Sequence, residues 1–144
     1  MIPSLGLAAR AAPPVTARHT VGALAVIGAV LVAIGVTLPW LTFFAGLQAI
    51  SALGSPNGTL LFVGAAVAGL LGIATVVRPS RRTRDGLLAI GIVLTAFSAY
   101  LVVGLITVFH EVSADPLTVA ALGPGLVLVG VGSVAVLATA LLPD

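Results

Sequence analysis

Along this chain the apolar residues fall into four long runs and the polar ones into short clusters between them. A helix needs about 20 mostly apolar residues to cross a hydrocarbon layer about 30 Å thick. Four windows meet this: residues 21–38, "VGALAVIGAVLVAIGVTL"; 59–77, "TLLFVGAAVAGLLGIATVV"; 86–109; and 124–142. Each is bounded by residues that stop or start helices. Pro39 cannot continue the ladder of the first. Arg78-Pro79 closes the second, Asp85 is an N-cap type ahead of the third, and Pro124 suits a first helical position. The pattern predicts an all-α membrane protein, a four-transmembrane-helix bundle made of two hairpins. Residues 1–20 read as a separate arm, since "AAPP" breaks any helix and the short apolar "IPSLGLAA" precedes Arg10 instead of following a basic segment.

Composition agrees with this class and adds direction. The 144 residues are 60% hydrophobic and 7% charged, with a mean hydropathy of +1.29, so a water-soluble fold would lack a polar surface. All six basic residues are Arg. Arg10 and Arg18 precede the first span; Arg78, Arg81, Arg82 and Arg84 fill the segment "RPSRRTRD" between the second and third; the other two connections carry no Lys or Arg. By the positive-inside rule both termini and the Arg segment lie in the cytoplasm of a bacterial plasma membrane, where the four arginines anchor the topology and attract lipid headgroups. The net charge of +2 is spread over no polar face, which excludes nucleic acid as a partner.

The uncharged connection from Pro39 to Gly58, "PWLTFFAGLQAISALGSPNG", admits two structures. An interfacial helix would gather Trp40, Phe43, Phe44, Leu47 and Ile50 on one side. Extended strands, "WLTFF" and "LQAIS", suit the cluster of β-branched and aromatic residues, and the similar "PLTVAALGPG" reads as extended too. In either case Trp40, Phe43 and Phe44 are placed where an aromatic belt is expected. "ALGSPNG" and "ALGPG", each leading into a span, hint at an internal repeat of the hairpin. A first span ending in "LPWLT", a glycine-containing loop and an "NG" turn into the second span resemble small actinobacterial four-helix membrane proteins, of which the tryptophan-associated transmembrane protein family is one. The resemblance covers mainly residues 21–77 and brings no catalytic residues.

Groups able to do chemistry are few. His110, Glu111 and Asp115 cluster at the end of the third span, but "HEVSAD" lacks the HExxH spacing that sets two imidazoles on one helical face, so no metal and no cofactor are expected. The spans contain no Asp, Glu, Lys or Arg, which argues against an ion-coupled carrier. What they contain is small residues at i, i+4: Ala25, Ala29 and Ala33; Gly64, Ala68 and Gly72, with Gly69 beside them; Gly91, Thr95 and Ala99; Ala135 and Thr139. Such stripes let helices approach closely, either within the bundle or against a partner.

The expected function is therefore a non-enzymatic accessory or scaffold subunit of a larger cell-envelope membrane complex. Docking would use Gly64, Ala68, Gly69 and Gly72 with Trp40, Phe43 and Phe44. In the actinobacterial setting that the resemblance implies, the hosts include a lipid transporter of the mammalian-cell-entry type and a respiratory assembly. Two alternatives stay open: a binder of an apolar ligand such as lipid, in a cleft near Ser98 and Tyr100, and an outward-facing metal-dependent enzyme at His110, Glu111 and Asp115.

Overall fold

The computed structural model describes residues 15–44, 47–113 and 120–142. Four helices carry most of it: α1 Val15–Thr37, α2 Pro56–Val77, α3 Arg81–Ser113 and α4 Pro124–Leu141. All four are long and apolar enough to cross a membrane. Three short strands complete the fold: β1 Pro39–Phe43, β2 Gln48–Ser51 and β3 Ala120–Leu122.

Each helix packs on two others. The neighbours run α1–α2–α3–α4 and back to α1, which makes a closed four-helix bundle. Val32, Val36, Leu61, Leu87, Val129 and Val136 fill its centre. The tightest seam joins α1 to α4 and is built on glycine. Gly28 faces Gly132, and Gly35, seven residues on, faces Gly125; a Cβ added at any of the four would lie 2.6–2.8 Å from the carbonyl oxygen of the glycine opposite. Only hydrogen fits there, and the Cα–H groups point at main-chain oxygens, a weak attraction that recurs where helices pack closely. Gly22 and Gly72 form a similar contact between α1 and α2.

The strands form one antiparallel sheet in the order β2-β1-β3. Of the two readings of the 39–58 connection, the structure takes the extended one. β1 pairs with β2 as a hairpin and with β3 across the chain, Leu41 opposite Leu122 and Phe43 opposite Ala120. The sheet thus ties the start of α4 to the end of α1, one bond running from the Gly123 N–H to the Trp40 carbonyl at 2.9 Å. The two "ALG" segments lie between a strand and a helix: the first follows β2, the second includes the end of β3, and the helices they lead into open on Pro56 and Pro124. Ser55 caps α2 by accepting from the Gly58 N–H at 3.0 Å.

Two boundaries differ from those read in the sequence. Helix α1 begins at Val15, so the segment expected as an arm to residue 20 is helical from there on; residues 1–14 lie outside the described residues. The segment "RPSRRTRD" is largely not a loop. Arg81 already opens α3, and the capping hydrogen bond comes from Ser80, not Asp85. The Ser80 hydroxyl accepts from the Thr83 N–H at 3.2 Å, while the Thr83 hydroxyl accepts from the Ser80 N–H at 3.3 Å, a reciprocal box that satisfies two otherwise open donors. At 33 residues α3 is about 50 Å long, well beyond one hydrocarbon thickness.

Candidate functional site

The end of α1 shows how the "LPW" sequence works. In an α-helix the Gly35 carbonyl would accept from the N–H of residue 39, but residue 39 is proline and has none. Trp40 supplies the missing donor: its indole Nε1–H donates to the Gly35 oxygen at 2.9 Å in a buried site. Trp40 is only 7% exposed, with its ring edge against Gly125 of α4. The tryptophan expected in an interfacial belt is therefore turned inward, where it completes α1 and wedges the sheet onto α4. The missing hydrogen bond was the signal for this role in the sequence. Phe43 is half-buried and Phe44 exposed, the latter at φ 52°, a left-handed conformation that a bulky side chain rarely adopts.

The small residues of α2 face neighbours within the chain. Gly72 sits on Gly22, Ala25 and Val26 of α1, Gly69 on Ala29, and Gly64 on Leu94 of α3; Ala68 is completely buried. Their close approach serves the bundle itself. The outward face of α2 carries Phe62, Val63, Val67, Leu70 and Ile73 instead.

Between α3 and α4 lies a buried hydroxyl relay. Ser98 Oγ is 2.8 Å from Ser133 Oγ, Ser133 donates to the Val129 carbonyl at 2.7 Å, and Thr95 donates to the Ser133 carbonyl at 3.2 Å. Ser133 thus uses its single proton on Val129 and accepts from Ser98. Among the described residues no buried side-chain oxygen or nitrogen lacks a partner.

The four arginines take different positions. Arg78 follows α2, its main-chain N–H bonded to the Ala74 carbonyl. Arg81 and Arg82 are exposed in the first turn of α3, where their charge opposes the positive end of the helix dipole. Arg84 reaches across to α4, donating through Nε to the Ala140 carbonyl at 3.3 Å and through Nη2 to the Leu142 carbonyl. A cation on the open carbonyls of a helix C-terminus is favourable on both hydrogen-bond and dipole grounds.

Two further features lie at the sheet end. One is β2, an edge strand paired only to β1 among the described residues, with Leu47, Ile50, Phe44 and Leu53 exposed on or beside it. The other is a cleft of about 500 Å³ between the sheet, the start of α2 and the later half of α3. Tyr100 lines it; Ser98, expected beside Tyr100 at such a cleft, faces α4 instead. His110 and Glu111 are exposed near the end of α3, and Asp115 lies outside the described residues. Among the described residues no three metal-ligating side chains converge.

Fold and site together define a helical bundle with four candidate membrane spans and a small sheet capping one end. No family model, curated protein or solved structure matches the chain.

Proposed function

We propose that this chain is a non-enzymatic accessory subunit of a larger bacterial envelope assembly. It would lie in the plasma membrane with its arginine-bearing end in the cytoplasm and its sheet outside, and it would dock through the exposed edge of that sheet. The observation that carries this reading is β2. Its outer edge has no strand neighbour among the described residues, Leu47 is 87% exposed, and no charge occurs from Pro39 to Gly58. An uncharged edge strand that exposes Ile50 and is preceded by exposed Leu47 is a ready template for another chain, and proteins that stand alone often blunt such edges with charge or proline. Docking by the sheet also accommodates the glycine stripe of α2, which α1 and α3 already occupy.

Affinity purification of the full chain in a mild detergent, followed by mass spectrometry, tests the proposal. A stoichiometric membrane partner is expected with the wild type and lost with Leu47→Asp, while far-UV circular dichroism of the variant is unchanged. Recovery of the wild type alone as a monomer, or a partner retained by Leu47→Asp, would overturn it. Orientation is checked separately. The chain has no cysteine, so a single cysteine at position 82 should react only with membrane-permeant maleimides in intact cells.

A further inference from the structure

The cleft at the sheet end raises a question that docking does not answer: what fills it in a bilayer? Its walls are Trp40 and Ile50 of the sheet, Leu101, Gly104 and Leu105 of α3, and the start of α2. A volume near 500 Å³ lies within the range of small-ligand sites, about 300–1,000 Å³. Gly104 helps keep it open, since a Cβ there would meet no heavy atom within 4 Å. The cleft is open along α3, and hydrocarbon that enters it gains dispersion contacts along its walls. Moving an acyl chain from bilayer to cleft gains little hydrophobic energy, because both surroundings are apolar. Any selectivity must come from the polar atoms that the cleft presents.

Three side chains supply them. Ser51, Asn57 and Tyr100 line the cleft, and none of the three hydrogen-bonds to another described residue. All three can donate a hydrogen bond, and none carries charge. Their depth matches the change from chain to headgroup. Tyr100 and Val108 on the α3 wall lie about 24 and 36 Å along the helix from Arg84, which brackets the far boundary of a layer about 30 Å thick that starts at the arginines. No Lys or Arg occurs in either connection at this end, and Glu111 stands near it. An anionic headgroup therefore finds no counter-charge here.

We infer that the cleft is a binding site for one acyl chain of a neutral or zwitterionic glycerolipid. The chain lies along Leu101, Gly104 and Leu105, and the ester carbonyl accepts hydrogen bonds from Ser51, Asn57 or Tyr100. This assignment is independent of the docking proposal: it needs only the cleft and its depth in the bilayer.

Trp40, the one tryptophan of the chain, lines the cleft and reports on its contents. The probe is a phosphatidylcholine brominated on its acyl chains, titrated into the full-length protein in maltoside micelles, with the Trp40 fluorescence as readout. A site gives quenching that saturates at low lipid mole fraction; surrounding lipid alone gives quenching that rises in proportion to it. Saturable quenching is expected for the wild type and lost in Gly104→Leu, which fills the cleft where nothing stands in the way. Tyr100→Phe should weaken the apparent affinity about fivefold, the worth of one ordinary hydrogen bond. Brominated phosphatidylglycerol should bind more weakly than the phosphatidylcholine. Quenching that is only proportional in the wild type, or that stays saturable in a Gly104→Leu variant with wild-type circular dichroism, would overturn the site. Equal affinity for the two headgroups would overturn its charge selectivity.

Discussion

Replacing Gly28 by alanine adds one methyl group at the closest approach of α1 and α4. The new Cβ would stand 2.8 Å from the Gly132 carbonyl oxygen and 3.0 Å from Val136 Cγ2, against the 3.4 Å at which ordinary contact begins. The main obstacle is backbone, so no rotamer change relieves it and the two helices must part. The contact is reciprocal, and the rung formed by Gly35 and Gly125 lies seven residues away on the same seam, so an opening at one rung loosens the other. A gap of about half an ångström forfeits roughly a quarter of each dispersion contact, and inserting a methylene-sized group into a packed core costs about 1–3 kcal/mol. Gly130 is the control. It lies on the same helix and has no heavy atom within 4 Å of its would-be Cβ, so Gly130→Ala should be neutral or stabilising by up to about 1 kcal/mol through helix propensity. Reversible unfolding in mixed micelles by increasing dodecyl sulfate, followed by Trp40 fluorescence and circular dichroism, measures both. Agreement of Gly28→Ala and Gly130→Ala within about 0.5 kcal/mol, the scatter of uninvolved surface changes, would show that the glycines do not set the approach of α1 and α4.

Other substitutions test separate contacts by the same assay. Trp40→Phe, followed by circular dichroism alone because it removes the one tryptophan, keeps the aromatic bulk but leaves the Gly35 carbonyl without a donor, and should cost about 1–3 kcal/mol. A double-mutant cycle on Ser98→Ala and Ser133→Ala should give a coupling of about 0.6 kcal/mol, the average for hydrogen bonds between membrane helices; a coupling of zero would remove the relay as an interhelical tie. Arg84→Gln should lower stability by about 1 kcal/mol through the lost cation at the C-terminus of α4. Arg82→Gln removes an exposed charge that opposes the dipole of α3 and should leave stability unchanged or raise it by a few tenths of a kcal/mol. Gly64→Leu should destabilise the bundle before it touches any partner, because its Cβ already comes within 2.7 Å of Leu94 Cδ2.

The existence of the four helices was legible because each apolar run is long enough for a bilayer crossing and nothing in water would cover it. Their ends were less so. "RPSRRTRD" looks like a loop by charge alone, yet a Ser80–Thr83 box needs only two hydroxyls three residues apart, and such a pair is common in loops as well. The extended form of 39–58 could be read from its β-branched and aromatic residues, whereas the pairing of β1 with β3 depends on contacts that no local pattern encodes. The stripe on α2 was visible, but a stripe does not say which helix it meets. Gly28, Gly35, Gly125 and Gly132, the glycines of the tightest seam, fell outside every i, i+4 series that the sequence offered, because their spacing is seven. The cleft arises from tertiary geometry alone, and only Tyr100 among its polar residues stood out beforehand.

The seam and the sheet have a further consequence for biogenesis. Both the glycine face of α1 and the central strand β1 find partners in segments translated long after them. While α2 and α3 are being threaded into the bilayer, α1 has half of its packing surface open and β1 has one side unbonded. Arrival of α4 closes both at once, so the nascent molecule has a single late checkpoint, and a copy stalled before it would display an open helix groove and a bare strand to quality-control proteases.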